Sequence, residues 1–139
     1  MERRALQTLI IVVALIPLIF GALGILFGLV RLVPDPAIDA DNVYRFLSGL
    51  YFTMGVLFVW AARDLESKTT LIRILAFGVV LGAVGRIMSM VQVGTPRLLF
   101  QIDVAVEILI PLIVVIWQAR LARIAAQGGA GSAQDGALA

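Results

Sequence analysis

Arg86, Asp103 and Glu107 are the residues of this chain whose types and spacing could do chemistry, because each is set inside a long apolar run. An unpaired charge in hydrocarbon is unfavourable by at least about 2.5–3.5 kcal/mol at a helix centre. Residues of this kind need partners and mark the interior of a membrane protein. Asp103 and Glu107 are four residues apart, so on a helix they share a face. A guanidinium beside two carboxylates has three uses. It can lock helices together, it can hold a small polar ligand, a lipid headgroup or a proton, or it can serve an enzymatic site. A carboxylate pair is the equipment of glycoside hydrolysis, but the membrane setting and the adjacent arginine argue against that use. No catalytic residue is assigned.

The same residues meet if the runs that carry them form an antiparallel hairpin about Thr95. Arg86 is nine residues before that turn, Asp103 eight after it and Glu107 twelve after it. At about 1.5 Å of rise per residue, Arg86 then lies in depth between the two carboxylates, within a few ångströms of Asp103. Gly82, Ser89 and Met90 share the face of Arg86. Arg45, near the outer end of an earlier run, is a candidate second cation, with Ser48 one turn further in. The candidate ligand-binding set is therefore Arg86, Glu107, Asp103, Arg45 and Ser89, with Ser48 and Gln92 as neutral neighbours. Its formal charge closes at zero only if Arg45 takes part; with Arg86 alone one carboxylate is left over.

Four elements must position this set. Of the 139 residues, 61% are hydrophobic, and the mean hydropathy is +1.04. That is well beyond the roughly half-apolar content of a soluble domain. Apolar runs at about 5–30, 44–62, 71–91 and 96–119 each meet the roughly 20-residue requirement for a helix across hydrocarbon. The expected fold is all-α: an integral membrane, antiparallel bundle of four transmembrane helices in one domain, residues 1–126. A low-complexity tail, 127–139, rich in Gly and Ala, is expected to be flexible. The amino-terminal run exceeds the roughly 7–15 residues of a signal-peptide core, so an uncleaved span is expected.

Punctuation between the runs follows backbone chemistry. Pro34 and Pro36 forbid continuation of the first helix. Asp41 or Asn42 is expected to cap the second. Thr95 is expected to cap the fourth, with Pro96 at its first helical position. The loop aspartates Asp35, Asp39 and Asp41 lack the twelve-residue calcium-loop pattern and read as a solvated, capping loop, so no metal is assigned. Pro17 and Pro111 fall within apolar runs as candidate kinks.

Arg3, Arg4, Arg63, Lys68, Arg73, Arg120 and Arg123 collect on the side shared by both termini. The positive-inside rule puts that side in the cytoplasm of a cell inner (plasma) membrane, and Trp60 and Trp117 sit where an aromatic belt belongs. The Arg86 cluster then falls in the outer half of the bilayer. The formal charge of +2 reflects this flanking, and nucleic acid is not an expected partner. With no cysteine and no histidine, thiol redox chemistry, disulfides, thiolate zinc, imidazole haem ligation and histidine triads are all excluded. No cofactor is implied. Gly24 with Gly28, and Gly78 with Gly82, are small-xxx-small pairs that let helices approach closely, either inside the bundle or in a homodimer or larger membrane complex.

The segments GLYFTMGVLFVWAARD (49–64), LGAVGRIMSMVQVGTP (81–96) and EILIP (107–111) resemble the bacterial membrane family known as domain of unknown function 4345. The most specific part is Gly-Arg-x-x-Ser, then Gly-x-Pro, then a glutamate in the last helix. The resemblance covers the four spans and leaves out the tail. It implies a four-helix integral membrane protein, with Arg86, Ser89 and Glu107 at the family's polar positions and no established role for them. In size and helix count the chain also looks like the DoxX-like membrane proteins, some linked to redox or quinone complexes, although no motif here carries that chemistry. The two function readings are a non-enzymatic membrane protein with a ligand site at the charged cluster, and an accessory or stabilising subunit of a larger membrane complex.

Overall fold

A computed structural model describes residues 2–137, with side chains described for 2–124. Four helices follow one another: α1 (Glu2–Phe27), α2 (Ile38–Ala62), α3 (Thr69–Gln92) and α4 (Leu98–Ala137). All four are long and apolar enough to cross a membrane, α4 over Leu98–Ile124. At about 1.5 Å per residue, 24 residues, the length of α3, reach about 36 Å, more than the roughly 30 Å of hydrocarbon. Only 28% of the most apolar stretch of α1 and α2, and 17% of that of α3 and α4, is buried inside the protein. Apolar side chains that face outward along four such helices are lipid-facing surface. The chain is a multi-pass membrane protein. The stretch expected as a tail begins within α4; the last side chain described is Ile124, so that expectation falls outside the residues with described side chains.

The chain divides into two compact units, Met1–Asp64 and Leu65–Ala139, each a helical hairpin. In the first, rising positions on α1 meet falling positions on α2. Gln7 Nε2 donates to the Ala62 carbonyl at 3.0 Å. Further along, Gly55 faces Leu18, Gly21 faces Phe52 and Gly24 faces Ser48. The approach is close: a β-carbon on Gly21 would lie 2.6 Å from the Phe52 backbone nitrogen, and one on Gly55 would lie 2.8 Å from the Leu18 side chain. Between lipid-facing helices there is little hydrophobic drive to associate, so such backbone-level packing is what joins them.

Helix α1 ends three residues earlier than expected, and proline is not the cause. Gly28 takes φ +67°, which ends the α-helix in a conformation that favours glycine. A 3-10 turn over Leu29–Arg31 follows. Helix α2 begins at Ile38, not Tyr44, immediately after the Pro36–Ala37 pair. Asp41 therefore lies inside the first turn of α2 and does not cap it; Ala37 holds the cap position without a side-chain hydrogen bond.

The second hairpin is built around α3 and α4. Its base is closed by Gln118, only 2% exposed, whose Nε2 donates to the Leu65 carbonyl at 3.0 Å. Leu65 lies just before α3 and Gln118 near the far end of the Leu98–Ile124 span of α4, so these two helices also run past one another in opposite senses. Between them Gly94 adopts φ +123°. Helix α4 starts at Leu98, two residues after Pro96. Pro96 thus lies outside the helix, and its carbonyl accepts from Gln101 Nε2 at 2.9 Å. Both Pro17 and Pro111 are accommodated within continuous helices.

Candidate functional site

The hairpin register delivers Arg86 to both carboxylates of α4. Arg86 Nη1 donates to Asp103 Oδ2 at 2.6 Å, and Arg86 Nη2 lies 3.5 Å from Glu107 Oε1. Asp103 and Glu107 are successive on one face of α4, so a single guanidinium spans the turn between them. The short contact to Asp103 is a charge-assisted hydrogen bond; the one to Glu107 is a looser ion pair.

Exposure grades through the cluster. The side chains of Arg86 and Asp103 are 41% and 39% exposed, whereas that of Glu107 is 16% exposed. Glu107 Oε2 is fully covered and has no hydrogen-bond partner. A covered carboxylate oxygen without a donor is the costly arrangement that proteins ordinarily avoid. The site is therefore open at Asp103, closed behind Glu107, and short of one donor.

Arg45 is engaged within the first hairpin. Its Nε bonds Asp41 Oδ2 at 2.8 Å, and its Nη1 donates to the Ile25 carbonyl at 2.7 Å and, at 3.3 Å, to that of Leu26. These are carbonyls from the last turn of α1, which have no partner within their own helix. Asp41 Oδ1 in turn accepts from the Leu29 N–H at 2.6 Å, securing the 3-10 turn. Any β-carbon on Gly28 would strike both Asp41 and Arg45. Arg45 is thus a fastener for the α1–α2 turn, engaged within its own hairpin.

The remaining candidates divide. Ser48 is buried, its hydroxyl donating to the Tyr44 carbonyl at 2.7 Å. Ser89 is exposed one turn from Arg86, without a side-chain hydrogen bond among the described residues. Gly24 and Gly28 are filled by α2 side chains, whereas Gly82 has open space, as does Gly85.

Two glutamines escaped the sequence reading. Gln7 and Gln118 each tie a helix to a carbonyl at the base of its own hairpin. Their signal was simply an amide near the end of an apolar run.

The family described as "Domain of unknown function (DUF4345)" matches residues 5–118, from the first turns of α1 to Gln118 of α4. The chain belongs to the DUF4345 family. The matched region takes in both hairpins, the Arg86 cluster and the Asp41–Arg45 fastener. Neither a curated protein nor a solved structure matches the chain.

Proposed function

We propose that this DUF4345 protein is a non-enzymatic protein of the bacterial inner (plasma) membrane that binds a small polar ligand or lipid headgroup at Arg86, Asp103 and Glu107. In this reading the four helices form an antiparallel bundle with both termini in the cytoplasm, which opens the cluster to the outer half of the bilayer. The observation that carries it is the incomplete charge set: one guanidinium serves two carboxylates, and Glu107 Oε2 is covered without a donor. Gln118 Oε1 at the hairpin base is also covered without a partner, so the charge imbalance, which the Arg45–Asp41 pair lacks, is what sets the cluster apart. With neither cysteine nor histidine in the chain, the cluster has no thiol nucleophile or imidazole base beside it.

Native mass spectrometry of the protein, extracted with its surrounding lipid, tests the reading. A discrete small mass retained by wild type and lost in Arg86→Lys is expected, because a lysine cannot reproduce the fork that spans both carboxylates. Absence of any retained mass in wild type overturns it.

A second reading has its own support. Gly82 and Gly85 leave open space on α3, which suits close approach of a partner helix in a homodimer or a larger membrane complex. For an accessory subunit, Gly82→Leu releases a stoichiometric partner while the charged cluster stays intact.

A further inference from the structure

The site has a sign. Within its own hairpin, Arg86 is the only cation in ion-pair distance of Asp103 or Glu107 among the described residues. With all three groups ionised, one positive charge faces two negative ones. Arg86 Nη1 is engaged by Asp103 and Nη2 faces Glu107, and the acceptors of the two carboxylates are not exhausted. Asp103 bonds Arg86 through Oδ2 and is half-exposed, and Glu107 Oε2 has no partner at all. An anion entering here would add a third negative charge to a set that holds one positive charge.

We infer that the ligand of this site is a primary ammonium group, carried by an aminophospholipid headgroup or by a free alkylamine. The inference rests on the reading of the cluster as a ligand site. A primary ammonium brings one positive charge, which balances the set, and three N–H donors, as a lysine head does. Asp103 receives it at the exposed mouth. Glu107 lies one turn deeper and meets it by rotation of its own side chain, which frees the covered oxygen. A quaternary ammonium balances the charge but has no hydrogen to donate, so it leaves Oε2 unpaired.

The full chain is reconstituted in nanodiscs of phosphatidylcholine alone, or of phosphatidylcholine with phosphatidylethanolamine or with phosphatidylglycerol. Retained lipid is read by native mass spectrometry, and a separate arm adds ethanolamine to phosphatidylcholine discs. Phosphatidylethanolamine is expected to be retained over phosphatidylcholine by about tenfold or more. Both Glu107→Gln and Asp103→Asn should abolish the preference while remaining helical and monodisperse. If one variant fails to fold, the other carries the comparison. Retention of ethanolamine with the same sensitivity assigns the free amine as the source; its absence beside retained phosphatidylethanolamine assigns the lipid. Retention of phosphatidylglycerol instead, lost in Arg86→Lys, overturns the ammonium inference and leaves a ligand site standing. An Arg86-dependent mass from native membrane without any amine retention also overturns the inference alone. Absence of both overturns the inference and the ligand reading together.

Discussion

Each hairpin of this protein places an arginine against carboxylates within an apolar helix, and the two arrangements end differently. In the first, Arg45 is held by Asp41 and by the last carbonyls of α1, and Asp41 also serves the Leu29 N–H. One cation meets one anion, and the leftover bonding capacity goes to backbone groups that need it. In the second, Arg86 meets two anions, and an oxygen of Glu107 is left covered and unpaired. The packing differs in the same sense. Glycines of α1 are filled by α2, whereas Gly82 and Gly85 of α3 face open space. Charge in a membrane helix is therefore not by itself a sign of function. The informative observation is whether the charge set closes with what the chain provides.

The largest way to break the contrast is Arg86→Leu. It strands Asp103 and Glu107 together, and is expected to destabilise the protein by about 2.5–3.5 kcal/mol, the order of the cost of an unpaired charge in hydrocarbon. The triple change Arg86→Leu, Asp103→Leu and Glu107→Leu should recover most of that loss. Unfolding in mixed micelles by a denaturing detergent reads both. A triple variant no more stable than Arg86→Leu would mean that the charges hold α3 and α4 together and are not merely tolerated.

The glycines give the next largest effect. Gly21→Ala puts a β-carbon 2.6 Å from the Phe52 backbone, so α1 and α2 must part, with a loss of about 1–3 kcal/mol. Gly82→Ala meets nothing and should be neutral or stabilising by up to about 1 kcal/mol through helix propensity. The same unfolding titration, run on both, compares the packed face with the open one. A large loss at Gly82 would show that a partner helix occupies that face.

The smallest change concerns the closed set. Asp41→Asn keeps an acceptor for the Leu29 N–H and removes only the ion pair with Arg45, so a loss under about 1 kcal/mol is expected. Asp41→Ala also removes the acceptor and should lose about 1–2 kcal/mol. Equal losses in the two variants would assign the stability to the charge instead of the hydrogen bond.

Much of this was legible in the sequence, for physical reasons that also set the limit. Four spans follow from apolar runs long enough for a bilayer. The meeting of Arg86 with Asp103 and Glu107 follows from counting residues on either side of Thr95. The role of Arg45 does not follow, because the aspartates before Tyr44 read as a capping loop, whereas α2 begins at Ile38. Starting the helix after Pro36 places Asp41 and Arg45 four apart on one face, where their pairing is visible. The end of α1 differs in the same region: Pro34 and Pro36 forbid continuation, but the positive φ of Gly28 and the Asp41 bond to Leu29 end the helix earlier. The orphaned oxygen of Glu107 was legible only as arithmetic, one carboxylate too many, since which atom lacks a partner depends on side-chain geometry.

The central claim is that the open set binds a ligand and the closed set does not. Native mass spectrometry of wild type, Arg86→Lys and Arg45→Lys, each extracted with its surrounding lipid, tests it most directly. The account expects a discrete small mass in wild type and in Arg45→Lys that is lost in Arg86→Lys. Its retention by Arg86→Lys, or its absence from wild type, would contradict the account.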